Sequence, residues 1–144
     1  MKVLMVVLTA LSLGTAAAAM PGGPTPEDPI AAQLFPPEAV MQHQKRIHLT
    51  DAQRRSITGA ISSLQARVLE IQWAMQDEQQ KLVELLGPSQ VDEAAAVAQA
   101  GRVMELERQV KQAHLGALIR IKNLLTREQQ TQLRALQSRA DGGK

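Results

Sequence analysis

Three histidines, His43, His48 and His114, are the side chains here best suited to hold a metal ion, and no cysteine is present to join them. Two donors on a helix serve one divalent cation when they stand four residues apart, because that spacing turns both to the same side one turn apart. His43 is followed at that distance by Ile47, and His114 by Leu118, so each pair is half complete. His43 and His48 are five apart, about 140° around a helix from one another. A shared site therefore needs His43 and His114 from separate helices, joined by Glu70 or Glu107 or by ligands of a second subunit. Acid–base or nucleophilic chemistry has less to work with. The chain holds no glycine-rich phosphate loop and no nucleophile beside a base, so no catalysis is expected.

The spacing that does repeat is a capping one. Leu49–Gln53 reads LTDAQ, and 76 residues later Leu125–Gln129 reads LTREQ. A threonine at the start of a helix accepts from the amide three residues on, and a glutamine at that third position reaches back to the threonine amide. Thr50 with Gln53 and Thr126 with Gln129 both fit. The apolar staple that often accompanies such a box is missing, because the fourth helical positions are Arg54 and Gln130. Leu49 and Leu125 must then pack elsewhere in a helical bundle.

The elements these caps open are read from apolar spacing. After Thr50, Ile57, Ile61, Leu64, Val68, Ile71, Met75, Leu82 and Leu85 alternate in threes and fours, interrupted at Glu78, which is the seam of a long helix. Gly87-Pro88 ends it. Ser89 or Asp92 opens a second long helix whose stripe runs Val103, Leu106, Val110, Ala113, Ala117, Ile121 and Leu124. A short helix from Glu38 to His48 precedes the first motif, and another from Arg127 to about Arg139 follows the second. The fold expected is all-α: a long antiparallel helical hairpin flanked by two short helices, four in all.

Outside this helical domain, placed at 38–140, lie three segments. Residues 1–19, MKVLMVVLTALSLGTAAAA, have a lysine, a short apolar run and small residues at the end, the pattern of an export signal cleaved near Ala19. The apolar run is too short to span a bilayer, so no stable membrane insertion is expected after cleavage. Residues 20–37 hold six of the seven prolines and read as a flexible leader; residues 141–144 read as a disordered tail. Without Lys2 the 16 basic residues become 15 against 14 acidic ones, a balance that gives nucleic acid nothing to recognise. The aromatics are Phe35 and Trp73 alone.

Apolar residues beside the seams lack cover within one chain: Leu69, Trp73, Val83 and Leu86 on the first long helix, Leu115 and Leu118 on the second. Met75 and Met104 add shape-adaptable thioethers. Basic residues are interleaved with them, Arg54 and Arg55 at the first motif, then Arg67, Arg102, Arg108 and Lys111. Such a surface suits a second subunit or a bound client protein.

On its paired LTxxQ motifs, its helical hairpin and its export signal, the chain from about Ala39 to Arg139 resembles the Spy/CpxP family of small periplasmic proteins. That resemblance implies an ATP-independent chaperone of the envelope stress response, which dimerises into a cradle and grips unfolded proteins, with a membrane sensor as a further partner. Its motif residues fall on Leu49, Thr50, Gln53, Leu125, Thr126 and Gln129. A related branch of metal sensors, similar to CnrX, carries His-x-x-x-His on the first helix and His-x-x-x-Met on the third. Here His43 and His114 stand without their second donors. No cofactor is expected, and heavy-metal binding through a divalent ion at His43 and His114 is the alternative reading.

Overall fold

The computed structural model describes residues 29–141. The expected export signal, most of the expected leader and residues 142–144 lie outside them. The described chain is all-helical, beginning with a 3-10 turn at Ala31–Gln33 followed by α1 (Pro37–Gln42), α2 (Asp51–Leu86), α3 (Glu93–Leu124) and α4 (Arg127–Asp141).

Two boundaries differ from the sequence reading, each for a physical reason. The leader does not extend to residue 37: Leu34 and Phe35 are buried, Phe35 to 1% exposure, and the Arg134 guanidinium lies 5.8 Å above the Phe35 ring. Proline denies this stretch a helix, but not a place in the core. The short helix expected over 38–48 is regular only to Gln42. The chain continues in turns to His48, which takes φ 52°, while the Leu49 amide donates to the Gln44 carbonyl at 2.9 Å and the His48 amide to that of Lys45 at 3.4 Å. That pair of bonds around a left-handed residue is a Schellman closure, with histidine where glycine is usual. It aims the chain into α2.

The long helices end as their chemistry dictates. The 36 residues of α2, about 54 Å at 1.5 Å each, stop where Pro88 offers no amide to continue the ladder. Gly87 keeps right-handed dihedrals, φ −67° and ψ −38°. Of the two candidate starts for α3, Asp92 caps it, its carboxylate accepting from the Ala95 amide at 3.1 Å.

α2 and α3 pack antiparallel, and three cross-links fix one register. Gln53 donates to the Leu124 carbonyl at 2.7 Å, Arg67 to the Gln109 side chain at 3.1 Å, and Gln99 to the Glu78 backbone carbonyl at 2.8 Å. The expected stripes meet along this seam. Ile57, Ile71, Val103, Ala117 and Ile121 are buried, while Leu64, Val68, Leu82, Leu106 and Val110 are half-buried, as a layer only two helices thick requires.

Glu78, which breaks the apolar stripe, meets the buried Gln99 amide at 2.6 Å and Lys81 at 2.6 Å. A polar pair inside an apolar seam disfavours any slipped register, because slipping leaves both groups without partners. The hydrophobic core proper lies at the motif end, where Phe35, Val40, Ile47, Ile57, Ile121, Leu125 and Leu133 form one cluster, with Leu49, Ile61, Leu124 and Leu136 against it.

Acid should loosen the hairpin in a defined window. Bonds from Lys81 and then Gln99 hold the Glu78 carboxyl below its ordinary value, and bonds from Arg108 and then Gln109 lower Glu105 to about 2. Depressed carboxyls stabilise the fold above their unfolded pKa and lose that contribution as pH falls through the folded one. Melting temperature should be level from pH 7 to about 5 and fall between about 4.5 and 2; circular dichroism melts of the protein and of Glu78→Gln check this, the variant showing the smaller fall.

Candidate functional site

The two LTxxQ motifs meet. Each closes its own capping box: the Gln53 amide donates to Thr50 Oγ1 at 3.1 Å while Gln53 Oε1 accepts from the Thr50 amide at 3.1 Å, and Gln129 and Thr126 repeat the exchange at 3.2 and 2.9 Å. What capping alone does not require is the next contact. Gln53 Nε2 donates to Gln129 Oε1 at 2.8 Å, and Gln129 Nε2 donates to Gln53 Oε1 at 3.0 Å. The remaining amide hydrogens reach the Leu124 carbonyl at 2.7 Å and the Ile47 carbonyl at 3.2 Å, the last groups of α3 and of the turn before α2. One pair of side chains thus satisfies the starts of two helices, the end of α3 and the turn before α2. Leu125 is buried beneath it and Leu49 half-buried.

Away from this clasp the hairpin has two unlike faces. At about 100° per residue, Ser56, Ser63, Arg67, Glu70 and Asp77 of α2 share a side with Arg102, Glu105, Gln109 and Arg120 of α3, and the Arg67–Gln109 bond crosses it. Open grooves of about 430 and 440 Å³ run along that polar side, floored by small residues such as Ala74, Ala98 and Gly101. The opposite side carries the exposed apolar residues: Leu69 and Val83 of α2, 53% and 62% exposed, with Val97, Met104 and Leu115 of α3. Trp73, 65% exposed, and Ile119 stand at its two outer rims. The N-terminal segment covers this side at the motif end, where Lys122 donates to the Gln33 carbonyl at 2.8 Å. No described element covers the rest.

The expected surface residues sort accordingly. Leu69, Trp73, Val83, Met104 and Leu115 are exposed. Met75 and Leu118 are instead half-buried, Met75 because it falls on the seam stripe of α2. Leu86 is exposed for want of a partner, since α3 begins at Glu93 and the register would set Leu86 against the loop. Arg54 pairs with Asp51 at 3.6 Å and Arg55 is exposed. Val97 and Ile119 went unread in the sequence; with Met104 and Leu115 they lie within about 60° of one another on α3, a second stripe that Arg108 and Lys111 disguise.

The histidines are not gathered. His43 is half-buried in the turn after α1, and His114 is exposed on α3, its Nδ1 3.0 Å from the Val110 carbonyl. Glu107 lies seven residues before His114, about 10 Å along the helix and beyond a common coordination sphere. Glu70 instead bonds Arg67 at 3.2 Å. Among the described residues no group of three histidine or carboxylate side chains is placed to hold one ion, and no helix is long and apolar enough to cross a membrane.

The sequence model of the heavy-metal resistance family matches residues 2–132, and the chain belongs to that family. No curated protein and no solved structure matches the chain.

The clasp should be strongly non-additive. Gln53→Ala and Gln129→Ala each strand a partner amide at a crowded helix junction and should lose about 1–3 kcal/mol. The double variant should lose less than the two together by at least roughly 0.5 kcal/mol, because the interaction can be broken once only. Urea unfolding of the four proteins measures this; strictly additive losses would remove the coupling.

Proposed function

We propose that this member of the heavy-metal resistance family is an exported, periplasmic protein that protects other proteins under envelope stress, holding partly unfolded chains without ATP on the uncovered apolar side of its hairpin. The observation that carries this reading is the row Leu69, Trp73 and Val83 along α2, more than half exposed at every member. A rigid helix that keeps large apolar groups in water offers weak, sequence-tolerant contacts to any chain exposing its own. Gln65, Gln72, Gln76 and Gln80 separate them with neutral amides that can donate or accept as a client requires. Paired LTxxQ motifs, the mark of the Spy/CpxP proteins this chain resembles, support the same reading, with Arg54 and Arg55 beside the first motif supplying charge attraction.

Metal binding is the second reading, and two observations favour it: the family itself, and the His114 ring, whose Nδ1 lies within hydrogen-bond distance of the Val110 carbonyl. A histidine that donates from Nδ1 to a backbone carbonyl presents Nε2 as a ligand, the orientation used at metal centres. On this reading the other ligands come from a second chain.

The two readings separate experimentally. Light scattering of an aggregating client mixed with the protein at equal concentration should be suppressed, and Leu69→Ser/Trp73→Ser/Val83→Ser should lose most of that suppression while keeping its helicity. Scattering unchanged at every ratio would refute the holding reading. Calorimetric titration with zinc, nickel and copper addresses the second reading, which predicts binding tighter than about 10 μM, weakened by His114→Ala at least roughly tenfold.

A further inference from the structure

We infer that the motif end of the hairpin docks on an anionic lipid surface, through cations of three elements that the clasp brings together. The Arg67–Gln109 bond divides the hairpin into halves of opposite charge. Among the described residues, the motif half, 29–66 and 110–139, holds ten Lys and Arg against three Asp and Glu, while the loop half, 67–109, holds four against eight. The pairing differs as sharply. In the loop half Arg67, Lys81 and Arg108 each meet a carboxylate, whereas among the described residues of the motif half only Arg54 does, 3.6 Å from Asp51. Asp51 and Arg67 stand about 24 Å apart along α2, three times the roughly 8 Å over which physiological salt screens charge, so the cationic end acts on its own.

The unpaired cations gather around the clasp. Lys45 and Arg46 sit in the turn before α2, Arg55 near the start of that helix and Arg127 at the start of α4, all of them exposed. Gln129 ties the turn to α4 by donating to the Ile47 carbonyl at 3.2 Å, one residue from Arg46 on one side of the bond and two from Arg127 on the other. Neither groove of the polar side reaches these side chains. A cleft would suit a single anion or an acidic peptide; cations spread over an open end suit a plane of repeated charge, the headgroups of an anionic leaflet. Met41, 50% exposed and four residues before Lys45, sets an apolar side chain beside them, the combination that peripheral membrane surfaces use. The same leaflet repels the acidic loop half, so the rod stands away from it and leaves Leu69, Trp73 and Val83 in water. This docking is independent of the holding function proposed for α2, and its test alters none of the residues that function uses.

Co-sedimentation of the purified protein with lipid vesicles decides it. Vesicles of phosphatidylglycerol and phosphatidylcholine in equal parts should carry the protein down at about 50 mM salt and release most of it at about 500 mM. Pure phosphatidylcholine should carry none. Lys45→Gln/Arg46→Gln/Arg127→Gln should weaken binding roughly a hundredfold at unchanged helicity, since each cation near an anionic leaflet multiplies affinity about fivefold. Lys81→Gln/Arg102→Gln/Arg108→Gln removes as many cations from the loop half and should change binding by less than about threefold. Trp73 emission should stay where it is on docking. Equal binding to both kinds of vesicle, equal loss from the two triple variants, or a blue shift of Trp73, which would lay the apolar side on the lipid, overturns the inference. So does saturable binding to soluble polyglutamate without binding to the vesicles, which would assign the cations to an acidic protein.

Discussion

The reciprocal bonds between the Gln53 and Gln129 amides are the constraint from which the shape of this molecule follows. Two helices that start with free amides and two segments that end with free carbonyls converge at one end of the hairpin, and buried backbone groups of this kind must be paired. Side chains 76 residues apart pair them, each glutamine serving its own helix start, the other glutamine and a chain end. Because Gln129 is fixed to Gln53, α4 is held against α1, and Leu133 and Leu125 complete the cluster with Phe35, Val40 and Ile47. The repeated motif is thus one joint written in two places.

Concentrating the core at the joint leaves the far part of the hairpin as a bare two-helix layer. Its seam is specified by the Glu78–Gln99 pair and by alternating Ile, Leu and Val, but each helix has only one face in contact with the other. Chemistry then divides the remaining surface. One side is polar and laced by Arg67, Gln109 and Glu105, and needs no cover. The other presents Leu69, Trp73 and Val83 on α2 and Val97, Met104 and Leu115 on α3 to water. The proposed grip on clients uses the α2 half of that side.

Much of this architecture was legible from residue spacing, because long amphipathic helices state their partners in threes and fours. Thr50–Gln53 and Thr126–Gln129 placed the helix starts, Pro88 the end of α2, and Ile57 through Leu85 the seam. What spacing could not convey was contact across sequence distance. Nothing local in LTDAQ or LTREQ says that the two glutamines face each other, and nothing in a proline-rich leader says that Phe35 is the aromatic lid of the core. The turn at His48 was missed for a related reason: its left-handed backbone sits on a residue other than glycine. Met75, read both on the seam and on the surface, is half-buried on the seam of α2, and Leu118, read on the surface, is half-buried on α3. The candidate metal residues were the least legible, since a histidine with half a motif gives no direction for the other half.

Belonging to the heavy-metal resistance family does not by itself state how resistance is served. The geometry puts its unpaired apolar surface on the α2 flank, and Trp73, the single tryptophan of the chain, stands on that flank 65% exposed. Its fluorescence is therefore a direct reporter. Titrating the protein with a tryptophan-free, chemically unfolded client should shift the emission to the blue and saturate near equal concentrations, with the native form of the same client causing no shift. An emission maximum that stays at its solvent-exposed position at saturating unfolded client would contradict the account.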